Sequence, residues 1–247
     1  MNRNALAGLA SIAASHVRVE YPILQSTNRS LKRRFVSAAT GGRIAHDARD
    51  HIVVTALNEV SITIGEGERV ALVGHNGSGK TTLLRTIAGV YRPVSGVLDV
   101  RGTISTLFDI STGFDAEATG RENVTLRGLV MGLARSQIAD RMEDIREFSG
   151  LGDYFDLPVR VYSSGMLLRL AFSVATSVQR DIVLMDEWLA VGDAEFSERA
   201  EKRLHDHLHS KSILILATHS EDLVRRVCNR RIELNHGRVV ADNPVVP

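Results

Sequence analysis

With a single cysteine, Cys228, the 247-residue chain cannot form an internal disulfide, so a fold held together by crosslinks is excluded. Cys228 sits among Leu223, Val224 and Val227, an apolar-periodic setting that reads as a buried structural thiol in a reducing compartment. Aromatic residues are only 5% of the chain and the formal net charge is +1. That leaves neither the stacking platform nor the one-sided positive field that nucleic acids select. No apolar run approaches the roughly 20 residues a membrane-spanning helix needs. The segment Ala5 to Ala14, preceded by Arg3, imitates a secretory leader only weakly. Residues 1–15 are read as an N-terminal extension, with a first strand starting near Val17. The one basic cluster, Lys32, Arg33 and Arg34, is either a solvated turn or a contact for anionic lipid.

What is present is an alternation of strands and helices long enough to bury a substantial core. Val17, Val19 and Tyr21 alternate as a strand. Residues 22–50, polar and containing Gly41 and Gly42, read as a loop insertion. Alternation resumes from Ile52 to Ile64, and Glu68 to Val73 forms a short apolar strand suited to the middle of a parallel sheet. Between about 103 and 165 the character becomes helical. Thr119-Gly-Arg-Glu122 is a capping box opening one helix over about 120–134, and a second covers about 136–149. From Ile182 the pattern returns to strands at 182–186, 212–217 and 231–234, with helices at about 195–208 and 220–228.

Residues 74–81 read Gly74-His75-Asn76-Gly77-Ser78-Gly79-Lys80-Thr81. Glycines after a strand let backbone N–H groups turn inward, and the following helix directs its positive end at an anion. Lys80 is placed to reach β- and γ-phosphates, the Thr81 hydroxyl to ligate Mg²⁺, and Thr82 continues the helix. The strand ending in Asp186-Glu187 delivers two carboxylates to the same sheet edge. Asp186 suits the metal shell, and Glu187 suits polarisation of an attacking water. The next strand delivers Thr218 and His219 there, where an imidazole can meet a γ-phosphate or that water. Ser163, Ser164 and Gly165 open another helix and make a second anion site, besides capping that helix. His205, His207 and His209 have a spacing that does not gather three ligands on one helical face.

In this order the phosphate loop, Ser-Ser-Gly helix start, Asp-Glu strand, Asp193 and His219 resemble the ATP-binding subunit of an ABC transporter, over nearly the whole chain from Val17. Leu107-Phe108-Asp109, Gly113-Phe114, Thr119 to Asn123 and Tyr162-Ser-Ser-Gly-Met166 resemble the branch that exports bacterial O-antigen, capsule or teichoic acid. The resemblance implies an α/β fold. Its phosphate-loop NTPase core has a mixed, largely parallel sheet with flanking helices, an N-terminal antiparallel β part and an inserted helical lobe, all within residues 16–247.

It further implies that Ser163, Ser164 and Gly165 occupy the signature motif, with Ser164 in place of the usual glycine and Met166 in place of glutamine. Asp193 falls on the loop crossing a dimer interface, and Tyr21 is the aromatic stacked on adenine. Residues 104–118 lack the glutamine the family places there, and Asp109 or a neighbour stands in its place towards the metal. ATP and Mg²⁺ are the implied cofactors. The implied partners are a second copy in a homodimer, an integral membrane permease and the lipid-linked polysaccharide it carries, without nucleic acid, on the cytoplasmic face of the inner membrane. Ending at Pro247, the chain is expected to lack the carbohydrate-binding extension of some relatives. An importer subunit for a small solute shares the same ATP chemistry. A soluble ATPase acting on nucleic acid would show a basic face or tandem ATPase units, and neither is visible.

Overall fold

A computed structural model describes residues 9–23, 44–46, 52–108, 110, 112–187, 194–208 and 211–245. The chain divides into two compact units. The first comprises the described residues of 1–104, 181–187 and 210–247, and the second those of 105–180 and 188–209.

The first unit contains an antiparallel sheet in the order β2-β3-β1-β5. Its strands are β1 (Ser11–Ile23), β2 (Ile44–His46), β3 (Ile52–Gly65) and β5 (Ser95–Arg101). β1 starts at Ser11 and not near Val17, so the part of the expected N-terminal extension from Ser11 to Ser15 lies in the sheet. The cause is a bulge. Ile12 and Ala14 are buried, the register slips between Ala14 and Val17, and burial resumes at Val17 and Val19. One extra residue inverts the alternation, so the first half of the strand is out of phase with the second. His16 (φ 49°) and Glu59 (φ 58°) occupy the irregularity in left-handed conformations, and the imidazole Nδ1 lies 3.0 Å from the carboxylate. Of the expected loop insertion over 22–50, Pro22 and Ile23 end β1 and Ile44–His46 form β2. The remainder lies outside the described residues. β5 was not expected, because its pattern is largely exposed and only Leu98 and Val100 alternate on its half-buried face.

A six-stranded sheet runs β10-β9-β4-β8-β7-β6, formed by β4 (Arg69–Val73), β6 (Ile104–Thr106), β7 (Ile182–Asp186), β8 (Ile213–Ala217), β9 (Arg230–Asn235) and β10 (Arg238–Pro244). β4, β7, β8 and β9 are parallel, and β10 closes an antiparallel hairpin on β9. Val70, Ala71, Leu72 and every residue from Ile213 to Ala217 are wholly buried, as continuous apolar strands in the middle of a parallel sheet must be. Helices α1 (Lys80–Ile87) and α6 (Glu221–Val227) belong to this unit, and Ser220 caps α6 by accepting from the Leu223 N–H. The mixed, largely parallel sheet with its separate antiparallel part is the architecture that the strand pattern and the resemblance imply.

The second unit is helical: α2 (Gly120–Val130), α3 (Arg135–Ser149), α4 (Ser164–Ala175) and α5 (Ala194–His207). Thr119 and Glu122 form the expected capping box at the start of α2. Val124, Ile138, Ile145, Leu151, Phe155, Val159, Leu170 and Val174 make one core. This unit reaches further than the expected 103–165. Leu170 and Val174 of α4 are part of that core. Phe196 of α5 packs edge-on to Phe148 at 5.4 Å, and Arg199 donates to the carbonyl of Phe148 at 3.0 Å. Among the described residues no helix is long and apolar enough to cross a membrane.

Candidate nucleotide site

Parallel register brings the chemistry to one sheet edge. β8 pairs Asp186 of β7 with Ala217, and it pairs Leu72 of β4 with the same Ala217. The residues that follow these three strand ends are the phosphate loop, Glu187, and Thr218-His219. The Thr218 N–H donates to Leu72 O at 3.2 Å, and the Glu187 N–H donates to Ala217 O at 2.7 Å. The Thr218 side chain is buried and its hydroxyl accepts from the Ser220 N–H at 3.1 Å, which fixes the turn that carries His219. Glu187 has φ 63°, a left-handed conformation unusual for a residue with a Cβ, at the point where the strand ends.

Two glycines of the loop have no alternative. Gly74 has φ 142°, and a Cβ there would lie 2.2 Å from the carbonyl oxygen of Leu234. Gly79, the N-cap of α1, has φ 115°, and a Cβ would lie 3.0 Å from Ala56 O. Backbone approaches that close require glycine. The Lys80 ammonium donates to Gly74 O at 2.7 Å and His75 O at 3.3 Å, so the lysine lies back along its own loop. Burial lowers the Lys80 pKa, opposed by the carboxylates of Asp186 and Glu187. Ser78 Oγ is buried without a hydrogen-bond partner, and the Ser78 carbonyl accepts from the Gly237 N–H at 2.7 Å. The His75 ring is turned against the β9–β10 turn. Its Nε2 lies 3.1 Å from Asn235 Oδ1, and its centroid is 4.9 Å from that of His236.

A cleft of about 280 Å³ is lined by Tyr21, Val54, Ala56, Asn76, Gly77, Gly79, Lys80, Thr81, Thr82, Asp186, Glu187 and His219. The structure thus gathers the phosphate loop, both carboxylates, His219 and Tyr21 around one space. The Tyr21 hydroxyl donates to Thr82 Oγ1 at 3.2 Å. Val54 and Ala56 line the cleft without any signal in the sequence, since apolar strand residues carry no mark of what they face. Asp109 and Asp193 lie outside the described residues.

Ser163, Ser164 and Gly165 belong to the other unit. Ser163 is the N-cap of α4, its Oγ accepting from the Met166 N–H at 3.2 Å. Ser163 and Ser164 are both exposed. Among the described residues no group of three or more His, Cys, Asp or Glu could hold a metal ion. The Cys228 thiol is buried, and burial pushes its pKa up to about 12.

A glycine-lined loop between a buried parallel strand and a helix, with two acids and a histidine brought to the same edge, defines a phosphate-loop nucleoside triphosphatase. The family model described as ABC transporter matches residues 57–190. The O-antigen export system ATP-binding protein RfbE of Yersinia enterocolitica is 40% identical, over 95% of this chain and 98% of that protein. The O-antigen export system ATP-binding protein RfbB of Myxococcus xanthus is 43% identical over 78% of this chain, which spans 44% of that longer protein. The solved structure of a dimeric ATP-binding cassette in a post-hydrolysis state, bound to ADP and Pi, has a TM-score of 0.70 at 19% identity, covering 96% of this chain and 99% of the other. The chain belongs to the ABC transporter family, in the branch of ATP-binding subunits of surface-polysaccharide exporters. It binds ATP and is an ATP hydrolase.

Proposed function

We propose that two copies of this chain form the motor of an exporter that moves a lipid-linked surface polysaccharide outward through a separate membrane permease, from the cytoplasmic face of the inner membrane. The observation that carries the reading is the distribution of anion-binding groups. One unit holds the phosphate loop, Asp186, Glu187 and His219 around a single cleft. The other unit carries a second exposed helix start, Ser163 to Gly165. In a head-to-tail pair, each ATP lies between one copy's phosphate loop and the partner copy's Ser163 to Gly165, and ATP supplies the attraction that closes the pair. Hydrolysis and phosphate release remove that contact, and the pair opens. The names of the relatives support the export of an O-antigen-like polymer over import of a small solute.

Within one site, Tyr21 stacks on the adenine, Lys80 and the loop N–H groups hold the phosphates, and Glu187 orients and polarises the attacking water. His219 holds that water or the terminal phosphate. Thr81 and Asp186 both line the cleft, and a hydroxyl with a carboxylate is the hard oxygen donor set that Mg²⁺ takes. When bound, the ion neutralises phosphate charge and orients the triphosphate.

Glu187→Gln keeps the cleft's shape and removes the base. It is expected to lower ATP turnover by about 10²- to 10⁴-fold while ATP affinity is retained, and to accumulate an ATP-bound dimer visible by size exclusion. If the variant remains monomeric at saturating ATP, the two-copy scheme is wrong.

A further inference from the structure

Tyr21 projects from β1 near the end of its described part, and a ring that is to receive a nucleobase has to be held at a fixed angle. Two contacts hold it. Its hydroxyl donates to Thr82 Oγ1 at 3.2 Å. The second contact is Tyr91, whose ring meets Tyr21 edge-on, with centroids 5.1 Å apart and planes at 74°.

Tyr91 does not line the cleft, and its own position is determined by the turn that ends α1. The Tyr91 N–H donates to Arg85 O at 3.3 Å, Arg85 Nη1 donates to the Tyr91 hydroxyl at 3.4 Å, and the nearby Val94 N–H donates to Arg18 O of β1 at 2.8 Å. The segment after α1 is therefore tied both to that helix and to the strand that carries Tyr21. An edge-to-face pair is directional: the positive rim of one ring is drawn to the negative face of the other, which fixes the angle of both.

We infer that Tyr91 is a positioning residue for nucleobase recognition: it holds the Tyr21 ring in the stacking orientation without touching the nucleotide itself. The inference rests on the reading of this cleft as the ATP site and deepens it. The energy at stake is that of one aromatic pair and bears only on the base, because the phosphates are held by the loop.

The test compares two ligands, Mg-ATP and inorganic tripolyphosphate, which shares the phosphates but has no base. For Tyr91→Leu the KM for ATP is expected to rise about 3- to 10-fold, the worth of one aromatic pair. The same variant is expected to keep kcat within about twofold and leave inhibition by tripolyphosphate unchanged, because no group that touches phosphate has moved. Tyr91→Phe keeps the ring and the backbone bond to Arg85 O, loses only the long bond from Arg85 to its hydroxyl, and is expected to keep the KM within about twofold of wild type. It also serves as the control if the leucine variant folds poorly. Three results would overturn the inference: an unchanged KM in Tyr91→Leu, equal weakening of ATP and tripolyphosphate, or loss of ATP affinity in Tyr91→Phe as large as in Tyr91→Leu. A wild-type chain that binds tripolyphosphate as tightly as ATP would show that no base is stacked at all. One that binds neither would remove the ATP site itself, together with this inference.

Discussion

At Gly74 the main chain of the phosphate loop passes so close to β9 that a single methyl group would collide with the Leu234 carbonyl, 2.2 Å away. Backbone φ at this glycine is 142°, a region closed to residues with a Cβ. Gly74→Ala must therefore shift the loop, strain it or push β9 away. A loss of at least about 2 kcal/mol in denaturant unfolding is expected, together with weakened ATP binding. A variant with wild-type midpoint and wild-type affinity would mean that the loop is not held as described. The loop was legible in the sequence because its requirements are local, a strand, glycines at fixed offsets, then a lysine and a hydroxyl. The partners that hold it were not, because Leu234, Gly237 and Asn235 come from a hairpin more than a hundred residues away. Tyr21 was visible only through resemblance, and nothing in the residues around Tyr91 marked it as the ring that would support Tyr21.

Among the elements, α2 shows how the helical unit fixes its own entry loop. Asn123 is fully buried. Its Nδ2 faces the carbonyls of Asp115, Ala118 and Thr119 at 2.9, 3.1 and 3.0 Å, and its Oδ1 accepts from the Asp115 N–H at 2.8 Å. One turn further on, at i+4 on the same helix, Arg127 donates to Thr112 O at 2.9 Å and Ile110 O at 3.4 Å. Two side chains of one helix thus hold Ile110, Thr112, Asp115, Ala118 and Thr119, in a part of the chain that lacks the glutamine the family resemblance leads one to expect. That stretch in turn meets the segment leading to Ser163. The Val159 N–H donates to Ala118 O, and the Arg160 N–H donates to Ala116 O, both at 2.9 Å. Asn123→Ala removes the side-chain hydrogen bonds that tie Asp115, Ala118 and Thr119 to α2 and is expected to cost about 1–3 kcal/mol in denaturant unfolding. Asn123→Asp keeps the acceptor but sets a buried carboxylate oxygen against those carbonyls, and should cost at least as much as alanine. Equal stability of all three proteins would show that Asn123 does not hold the loop. The helix itself was readable from its capping box, Thr119 and Glu122, whereas the role of Asn123 was not, because a buried amide looks like an exposed one in a linear pattern.

For the whole molecule, the division into two units was partly legible. The change from strand alternation to helices near residue 103 was plain, and the apolar strand from Ile182 marked the return to the sheet. What sequence spacing does not carry is the unit to which a helix attaches. α5 follows a sheet strand, yet Phe196 and Arg199 place it with the helical unit through Phe148. The start of β1 was hidden for a related reason, since a bulge at His16 reverses the alternation on which strand detection relies.

The proposal for the whole molecule is that the terminal phosphate is embraced by groups from two copies. Chains carrying only Ser163→Cys would be mixed with chains carrying only His75→Cys, both in the Glu187→Gln background, and treated with a short bifunctional thiol reagent. The native thiol, Cys228, is buried with its pKa at about 12 and should stay unreactive. The account predicts a covalent dimer of two unlike chains that forms only with ATP. It is contradicted if the mixture gives no such dimer while a single chain carrying both cysteines links to itself.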